Sequence, residues 1–451
     1  MECEWGFNKE SWVSEKRIKM GFSNFRKKHE KHIKDSVVNL SGENTGIEVI
    51  PTNLLAIDYA LNGGIARGKI TEIAGEFQAG KTTLALTVAG RFQKMKNAGK
   101  IKGGIYIADF EHAISPTYAA ALGLDIHDQD SVMWMQPIRG ADELSDDLER
   151  IYEMQKKEEV CSLLIIDSLA AMRPRSEIEN TLEMADKHKG AHARMCSAFF
   201  AKHTAQFSKN KITVIVINQS RTKINIQSQY TPDRNKGVMT VNDAYNTTGG
   251  KAPKFYFFNR IILQTEKIIK EKRHDPIMNN DRKVNTYQVV QIDNIKDKKG
   301  IPFRRDRFHI RWGTGVSQID TVIEKAKAWG FIVNEGQSWF VKDNTGNEVL
   351  KVRGQDAFDR KLRDAEDPTV IQALRVLKHL VKDRYEQLAM ESNIKYEEKL
   401  QKAISMEDMM EGEGSGKKID MDTGEDENPS KKSKSTRKPK IDMDTGDDDE
   451  D

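Results

Sequence analysis

Short apolar runs alternate along most of this chain with longer stretches whose apolar residues recur at helical spacing. β-type runs fall at 70–74, 104–108, 162–166, 212–217, 260–264, 287–292 and 307–311. Leu163-Leu164-Ile165-Ile166 is apolar at every position, as a central strand requires. Thr83-Leu84-Ala85-Leu86-Thr87-Val88-Ala89 reads as the opening turns of a helix. The alternation predicts an α/β domain with a largely parallel sheet, which the later strands, separated by hairpin-like turns, extend antiparallel.

The pattern changes at both ends. Residues 8–36 are charged and read as helix, with Trp12, Ile18, Met20, Phe22, Phe25 and Ile33 as apolar contacts. These are too few for a core, so the segment is expected to pack on something else, such as a neighbouring subunit. Past Asp320 the pattern predicts a helix at 321–329, strands around 339–341 and 349–352, and helices from Ala357. The expected organisation is an N-terminal helical or oligomerisation segment at 1–45, a core at 46–319, a small α+β domain at 320–395 and a disordered acidic tail at 396–451. Two polar stretches inside the core, about 176–194 and 220–250, resist assignment. Loops of that length inside a compact domain are usually functional or disordered.

Charge sharpens this division. Residues 405–451 hold 8 Lys/Arg against 16 Asp/Glu, a net of −8, which leaves +11 on the remainder of a chain whose total is +3. A basic body with an acidic tail suggests a polyanionic partner and a tail that competes with it; a merely solubilising tail fits the charge equally well. The tail repeats Lys-Ile-Asp-Met-Asp-Thr-Gly at 418–424 and 440–446, and such low-complexity sequence cannot bury a core. Three scattered cysteines, Cys3, Cys161 and Cys196, make neither a disulfide framework nor a zinc site. No apolar run approaches the ~18 residues of a membrane span, and no signal-peptide core precedes the domain. A cytoplasmic protein without membrane partners is the expectation.

The chemistry concentrates at strand ends. Gly75-Glu76-Phe77-Gln78-Ala79-Gly80-Lys81-Thr82 is a complete G-x-x-x-x-G-K-[ST] loop between the strand at 70–74 and the helix from Thr83. Its glycines let backbone amides turn toward phosphates, and the helix N-terminus adds partial positive charge. Lys81 would reach the β- and γ-phosphates, and the Thr82 hydroxyl would ligate Mg²⁺. Asp167 ends an apolar strand and supplies the second acidic group a Mg²⁺ site needs, at the edge where open α/β sheets place ligands. Ser168 follows it, so the group that orients attacking water must come from elsewhere. Glu111, at the end of the strand beginning at Gly104, is the first candidate, with Asp109 and His112 competing. Asn218-Gln219 ends the 212–217 strand, where an amide can sense the γ-phosphate just before the longer unassigned stretch.

These residues, taken together, resemble the RecA family of strand-exchange recombinases, bacterial or bacteriophage in type. The resemblance rests on Asp109–Ala113, Pro116-Thr117-Tyr118, Ile166–Met172, Glu177-Ile178-Glu179, Gly190–Met195, Ile217-Asn218-Gln219, Thr247–Gly250 and Lys254-Phe255-Tyr256, and spans roughly 40–380. It implies an ATP- and Mg²⁺-dependent filament on single-stranded DNA that pairs with homologous duplex in recombination and repair. Glu111 would be the catalytic glutamate, and Tyr118, with Thr83 and the 75–82 loop, would hold the nucleotide. Gln219 would link ATP to the second DNA loop, and Lys296 and Lys298 would reach the neighbouring subunit's ATP. Lys254 and Phe255 would lie at the subunit interface. The unassigned stretches would be DNA loops, with Arg194 in the first and Arg221, Lys223, Ile224, Gly249 and Gly250 in the second, Ile224 as an apolar wedge.

The resemblance also implies a nucleoid or host-cytoplasm location and makes the tail a contact for a single-strand-binding protein or mediator. The first loop is two residues longer than the bacterial form, which puts Lys189, or alternatively Met184, at its wedge position. Ser115 replaces an acidic adenine contact. Two competing readings are a recombination mediator, which typically loses a DNA loop or the base, and a ring-forming helicase, which lacks the 247–250 context and the small domain.

Overall fold

The computed structural model describes residues 47–138, 140–179, 190–222, 245–275, 280–364 and 366–412. The expected N-terminal helix, Lys189, Met184, Lys223, Ile224 and the repeat-bearing tail lie outside them.

The strands of the core are β1 (Val49–Ile50), β2 (Ile65–Ala66), β3 (Ile70–Gly75), β4 (Gly104–Asp109), β5 (Val132–Met135), β6 (Cys161–Asp167), β7 (Thr213–Thr222), β8 (Tyr245–Thr247), β9 (Asn259–Asp275), β10 (Asn280–Asp297), β11 (Arg305–Arg311) and β12 (Gly315–Ser317). The helices among them are α1 (Leu55–Ala60), α2 (Lys81–Asn97), α3 (Pro116–Ala121), α4 (Ala141–Gln155), α5 (Arg175–Glu179), α6 (Ala191–Lys209) and α7 (Pro253–Tyr256). The main sheet has ten strands in the order β12-β11-β10-β9-β3-β7-β6-β4-β5, with β8 paired to β7. β9, β3, β7, β6, β4 and β5 run parallel, and β10 to β12 continue the sheet antiparallel. The α/β class and the antiparallel extension are therefore as the apolar pattern predicts.

Alternation within each strand explains the two cores. Ile105, Ile107, Leu163, Ile165, Ile215 and Ile217 face one layer with α2. Tyr106, Ala108, Leu164, Ile166, Val214 and Val216 face the other with α4 and α6. Both faces are covered, so the parallel strands read as continuous apolar runs. Cys161 and Cys196 are buried thiols, as expected of small core residues.

Three elements differ from the sequence reading. β5 was not expected, because Val132-Met133-Trp134-Met135 is a short edge strand. β9 and β10 extend far past 260–264 and 287–292 into a long antiparallel ribbon. Its outer half is polar and charged, and its ladder is held by backbone hydrogen bonds rather than an apolar face. The unassigned stretches also shrink. α5 runs to Glu179, α6 starts at Ala191, and Ser220, Arg221 and Thr222 pair with Thr247, Asn246 and Tyr245.

After the main sheet come α8 (Gln318–Ala328), a three-stranded sheet of β13 (Ile332–Glu335), β14 (Ser338–Lys342) and β15 (Glu348–Arg353), then α9 (Gln355–Lys361) and α10 (Pro368–Gly412). Val322, Ile332, Val341, Phe358, Leu377 and Val381 share a separate hydrophobic cluster. The described residues up to Asn393 form one compact unit, and a second begins at Ile394.

Candidate active site

Parallel register brings the candidate residues to one edge. Gly75 pairs with Gln219 across β3 and β7, and Asp109 with Asp167 across β4 and β6. Gly75, Asp109 and Asp167 end their strands, and Gln219 lies level with Gly75 where the parallel pairing of β7 stops, so a crevice opens along this edge. A cavity of about 1010 Å³ opens there, lined by Gly75, Gln78, Lys81, Thr82, Thr83, Glu111, Tyr118, Asp167 and Gln219.

The loop between β3 and α2 has the form its composition demands. Gly80 has φ 85°, and Gln78 adopts φ 60° without being glycine. A Cβ at Gly75 would sit 2.5 Å from the Leu263 carbonyl oxygen, so only glycine fits beside β9. Lys81 Nζ donates to the Glu76 carbonyl at 2.7 Å, folding over the loop. Burial lowers the Lys81 pKa, and the nearby Glu111 and Asp167 carboxylates work against that shift. Phe77 projects from the loop tip, 87% exposed.

Thr82 Oγ1 donates to Asp167 Oδ2 at 2.8 Å. Asp167 Oδ1 is buried with no hydrogen-bond partner. The Asp167 carboxyl is pushed up to about 7, chiefly by burial and also by the Glu111 and Asp109 charges, against the opposing Thr82 hydrogen bond and Lys81 charge. A buried, unsatisfied carboxylate oxygen next to a threonine hydroxyl fits a hard divalent cation, which favours oxygen donors. The glycine-lined loop with Lys81 at the helix start fits phosphates.

The three candidates for orienting water separate by position. Asp109 is fully buried and accepts from the Ala113 and Ile114 amides at 3.4 and 3.3 Å, so it holds the turn after β4. His112 sits in the left-handed region at φ 52° and is not among the cavity-lining residues. Glu111 does line the cavity, and Ser168 Oγ donates to its Oε1. The serine after Asp167 thus engages the glutamate from the adjacent strand.

Tyr118 OH and Thr83 Oγ1 lie 2.6 Å apart, fixing the tyrosine ring against α2. Ser115 caps α3, accepting from the Tyr118 amide at 3.4 Å. Trp312, Ile268 and Gln288 line the same cavity and were missed in the sequence. Trp312 had a usable signal: it lies in a glycine turn just past a strand, where a tryptophan is poorly placed for a core. Gln288 and Ile268 had none, since their strands had to be paired first.

The segments flanking the second unassigned stretch are tied to the sheet. Glu72, on β3, accepts from Arg260 Nε at 2.5 Å and from Asn218 Nδ2 at 2.9 Å. Asn218 also donates to the Thr248 carbonyl at 3.0 Å, and Arg260 to Thr247 Oγ1 at 3.4 Å. Gly249 and Gly250 have positive φ and pack on α6, where added Cβ atoms would meet Cys196 Sγ at 3.4 Å and Ala193 Cβ at 3.1 Å. Arg194 is exposed in the first turn of α6, so the ends of both stretches converge on this helix. Arg221 lies on β7 opposite Asn246.

Lys296 and Lys298 are elsewhere. Lys296 is level with Arg260 and Glu72, and the Lys298 amide bonds the Phe258 carbonyl at the amino edge of the sheet. Along β3, about five residues of strand, roughly 17 Å, separate the level of Lys298 from Gly75, and about three, roughly 10 Å, separate that of Lys296. Both lysine side chains donate to α7: Lys296 to the Lys254 and Phe255 carbonyls, Lys298 to the Phe255 carbonyl at 3.0 Å. Burial and the Lys298 and Arg260 charges pull Lys296 down to about 8. The Phe255 ring is 74% exposed.

Strand, glycine loop, helix and a neighbouring strand-end aspartate define a phosphate-loop α/β protein. Comparison with known proteins narrows this. A model of the RecA N-terminal domain matches residues 16–317. Protein RecA of Bifidobacterium breve is 37% identical over 312 residues, covering 68% of this chain and 69% of that one. Protein RecA of Chlorobium chlorochromatii is 34% identical over 347 residues, covering 76% and 85%. Protein RecA of Streptomyces coelicolor is 36% identical over 298 residues, covering 66% and 69%. The chain belongs to the RecA family, whose members bind ATP and DNA in DNA recombination and repair. Among the described residues, no helix is long and apolar enough to cross a membrane.

Proposed function

We propose that this protein is an ATP- and Mg²⁺-dependent recombinase that assembles as a helical filament on single-stranded DNA and exchanges that strand into homologous duplex. One observation carries the reading. The phosphate loop, Asp167, Glu111 and Gln219 share one cavity, and the strand bearing Gln219 runs on to Thr222, at the mouth of the second unassigned stretch.

In this reading the loop amides and Lys81 hold the phosphates of ATP. Thr82 and Asp167 hold Mg²⁺, which neutralises phosphate charge when bound. Tyr118 stacks on the base. Glu111, kept in place by Ser168, orients water for in-line attack and takes up its proton. Gln219 reports the γ-phosphate to the second DNA loop, where Arg221, Lys223, Ile224, Gly249 and Gly250 contact the strand together with Arg194 of the first. Lys296 and Lys298, set back toward the opposite sheet edge from their own chain's phosphate loop, act on the ATP of the next subunit, beside interface residues Lys254 and Phe255. A head-to-tail contact of this kind builds a filament rather than a closed pair.

Strand exchange between circular single-stranded DNA and homologous linear duplex, run beside Lys81→Ala, tests the proposal. Joint molecules that need ATP, homology and Lys81 are expected. DNA-stimulated hydrolysis without joint molecules would replace this reading with a mediator or a ring-forming helicase, which filaments or rings in electron microscopy would tell apart.

A further inference from the structure

We propose that Gln288 is a positioning residue for the phosphate loop: from the base of the β9–β10 ribbon its side-chain amide holds the loop in its phosphate-binding shape. The inference rests on the nucleotide reading of the site and adds a control point outside the loop's own sequence.

Gln288 Nε2 donates to the Gln78 carbonyl oxygen at 3.2 Å. A carbonyl only accepts, so the amide nitrogen is the end that must face it. The Gln288 side chain is buried, with the residue 5% exposed, so water competes little for this bond. Gln78 is the non-glycine residue of the loop with positive φ, at 60°, a conformation that persists only when surroundings hold it. The next turn of the loop leans on the same strands. A Cβ at Gly80 would sit 2.2 Å from Ile310 Cδ1 and 3.6 Å from Gln288 Nε2. Gln288 and Ile310 are cross-strand partners on β10 and β11, so they form one platform beneath Gln78 and Gly80.

The platform has a second side. Gln288 also pairs with Ile268 on β9, and Ile268, Thr265 and Asn285 line the nucleotide cavity from the ribbon. Farther out, Lys267, Lys270, Arg282 and Lys283 are exposed on the same two strands. Through these contacts the antiparallel half of the sheet reaches both the cavity and the phosphate loop.

Gln288→Met keeps the length and packing of the side chain and removes the donor. In the full-length protein without nucleotide, amide exchange within 75–82 should quicken by about 2- to 10-fold, the effect of one hydrogen bond, while a β6 peptide spanning 161–167 is unchanged. Affinity for a fluorescent ATP analogue should fall by a similar factor, and Gln288→Leu should behave alike. Wild-type exchange in 75–82 of a folded Gln288→Met would overturn the clamp. So would a rise that spreads to 161–167, which would make Gln288 ordinary packing. A wild-type protein that binds no ATP analogue would instead overturn the nucleotide reading and leave the exchange result to stand.

Discussion

The Glu72–Arg260 pair offers the sharpest test of how the proposed second DNA loop is tied to the sheet. The two side chains are 0% and 2% exposed, and Nε and Oε2 are 2.5 Å apart. Removing one partner of a buried ion pair costs about 3–5 kcal/mol, because the remaining charge stays in a low dielectric. Glu72→Leu leaves the guanidinium facing an apolar side chain, and Arg260→Met leaves the carboxylate with the Asn218 amide. At roughly 2–4 °C of Tm per kcal/mol, each single variant should melt on the order of 6–20 °C lower. Glu72→Leu with Arg260→Met removes both charges and should return most of that loss. It still strips the acceptor from Asn218, a residual cost of about 1 kcal/mol. Calorimetry of the four proteins closes the cycle. The double variant should also bind nucleotide yet respond weakly to single-stranded DNA, since Thr247 loses the Arg260 contact and Asn218, which holds Thr248, loses Glu72. Single variants melting within about 2 °C of wild type would refute the reasoning, because that corresponds to under ~1 kcal/mol.

Three further outcomes are expected. Glu111→Gln should retain ATP binding and filament assembly while turnover falls by about 100-fold or more, the usual scale for a lost acid–base group; normal turnover in a phosphate-release assay would move the base to another residue. His203 sits buried between the Tyr152 hydroxyl and Ser145 Oγ, each at 3.0 Å, and burial holds its pKa down to about 4 from 6.5. The unfolded chain therefore binds the extra proton between those values, so stability should fall as pH drops from 6.5 toward 4. Melting curves across that range should flatten in His203→Gln, and an unaltered slope would count against a neutral His203. Deleting residues 405–451 removes a net charge of −8 and should strengthen duplex binding and lower the Mg²⁺ requirement; an unchanged salt and Mg²⁺ profile would show the tail does not compete for the DNA site.

Local chemistry made much of this protein readable in one dimension. The phosphate loop is contiguous, its glycines answer to backbone geometry, and Asp167 and Glu111 each terminate an apolar run whose strand carries them to the ligand edge. Burial on both faces left the central parallel strands largely apolar, so five of the six could be read in order, and only the short edge strand β5 escaped. The long ribbon could not. Its outer strands have no apolar face, and only backbone pairing between distant segments holds them together. For the same reason Gln288, Ile268 and Trp312 joined the cavity only once β9, β10 and β11 were laid side by side. The choice among Asp109, Glu111 and His112 also needed three dimensions. All three lie within four residues, and which carboxylate is spent on a turn and which faces the cavity depends on how β4 meets β6. Tertiary structure likewise put Lys298 at the far edge of the sheet and Lys296 midway toward it, both donating to α7. Strand direction, which no run of residues encodes, separates them from the phosphate loop of their own chain.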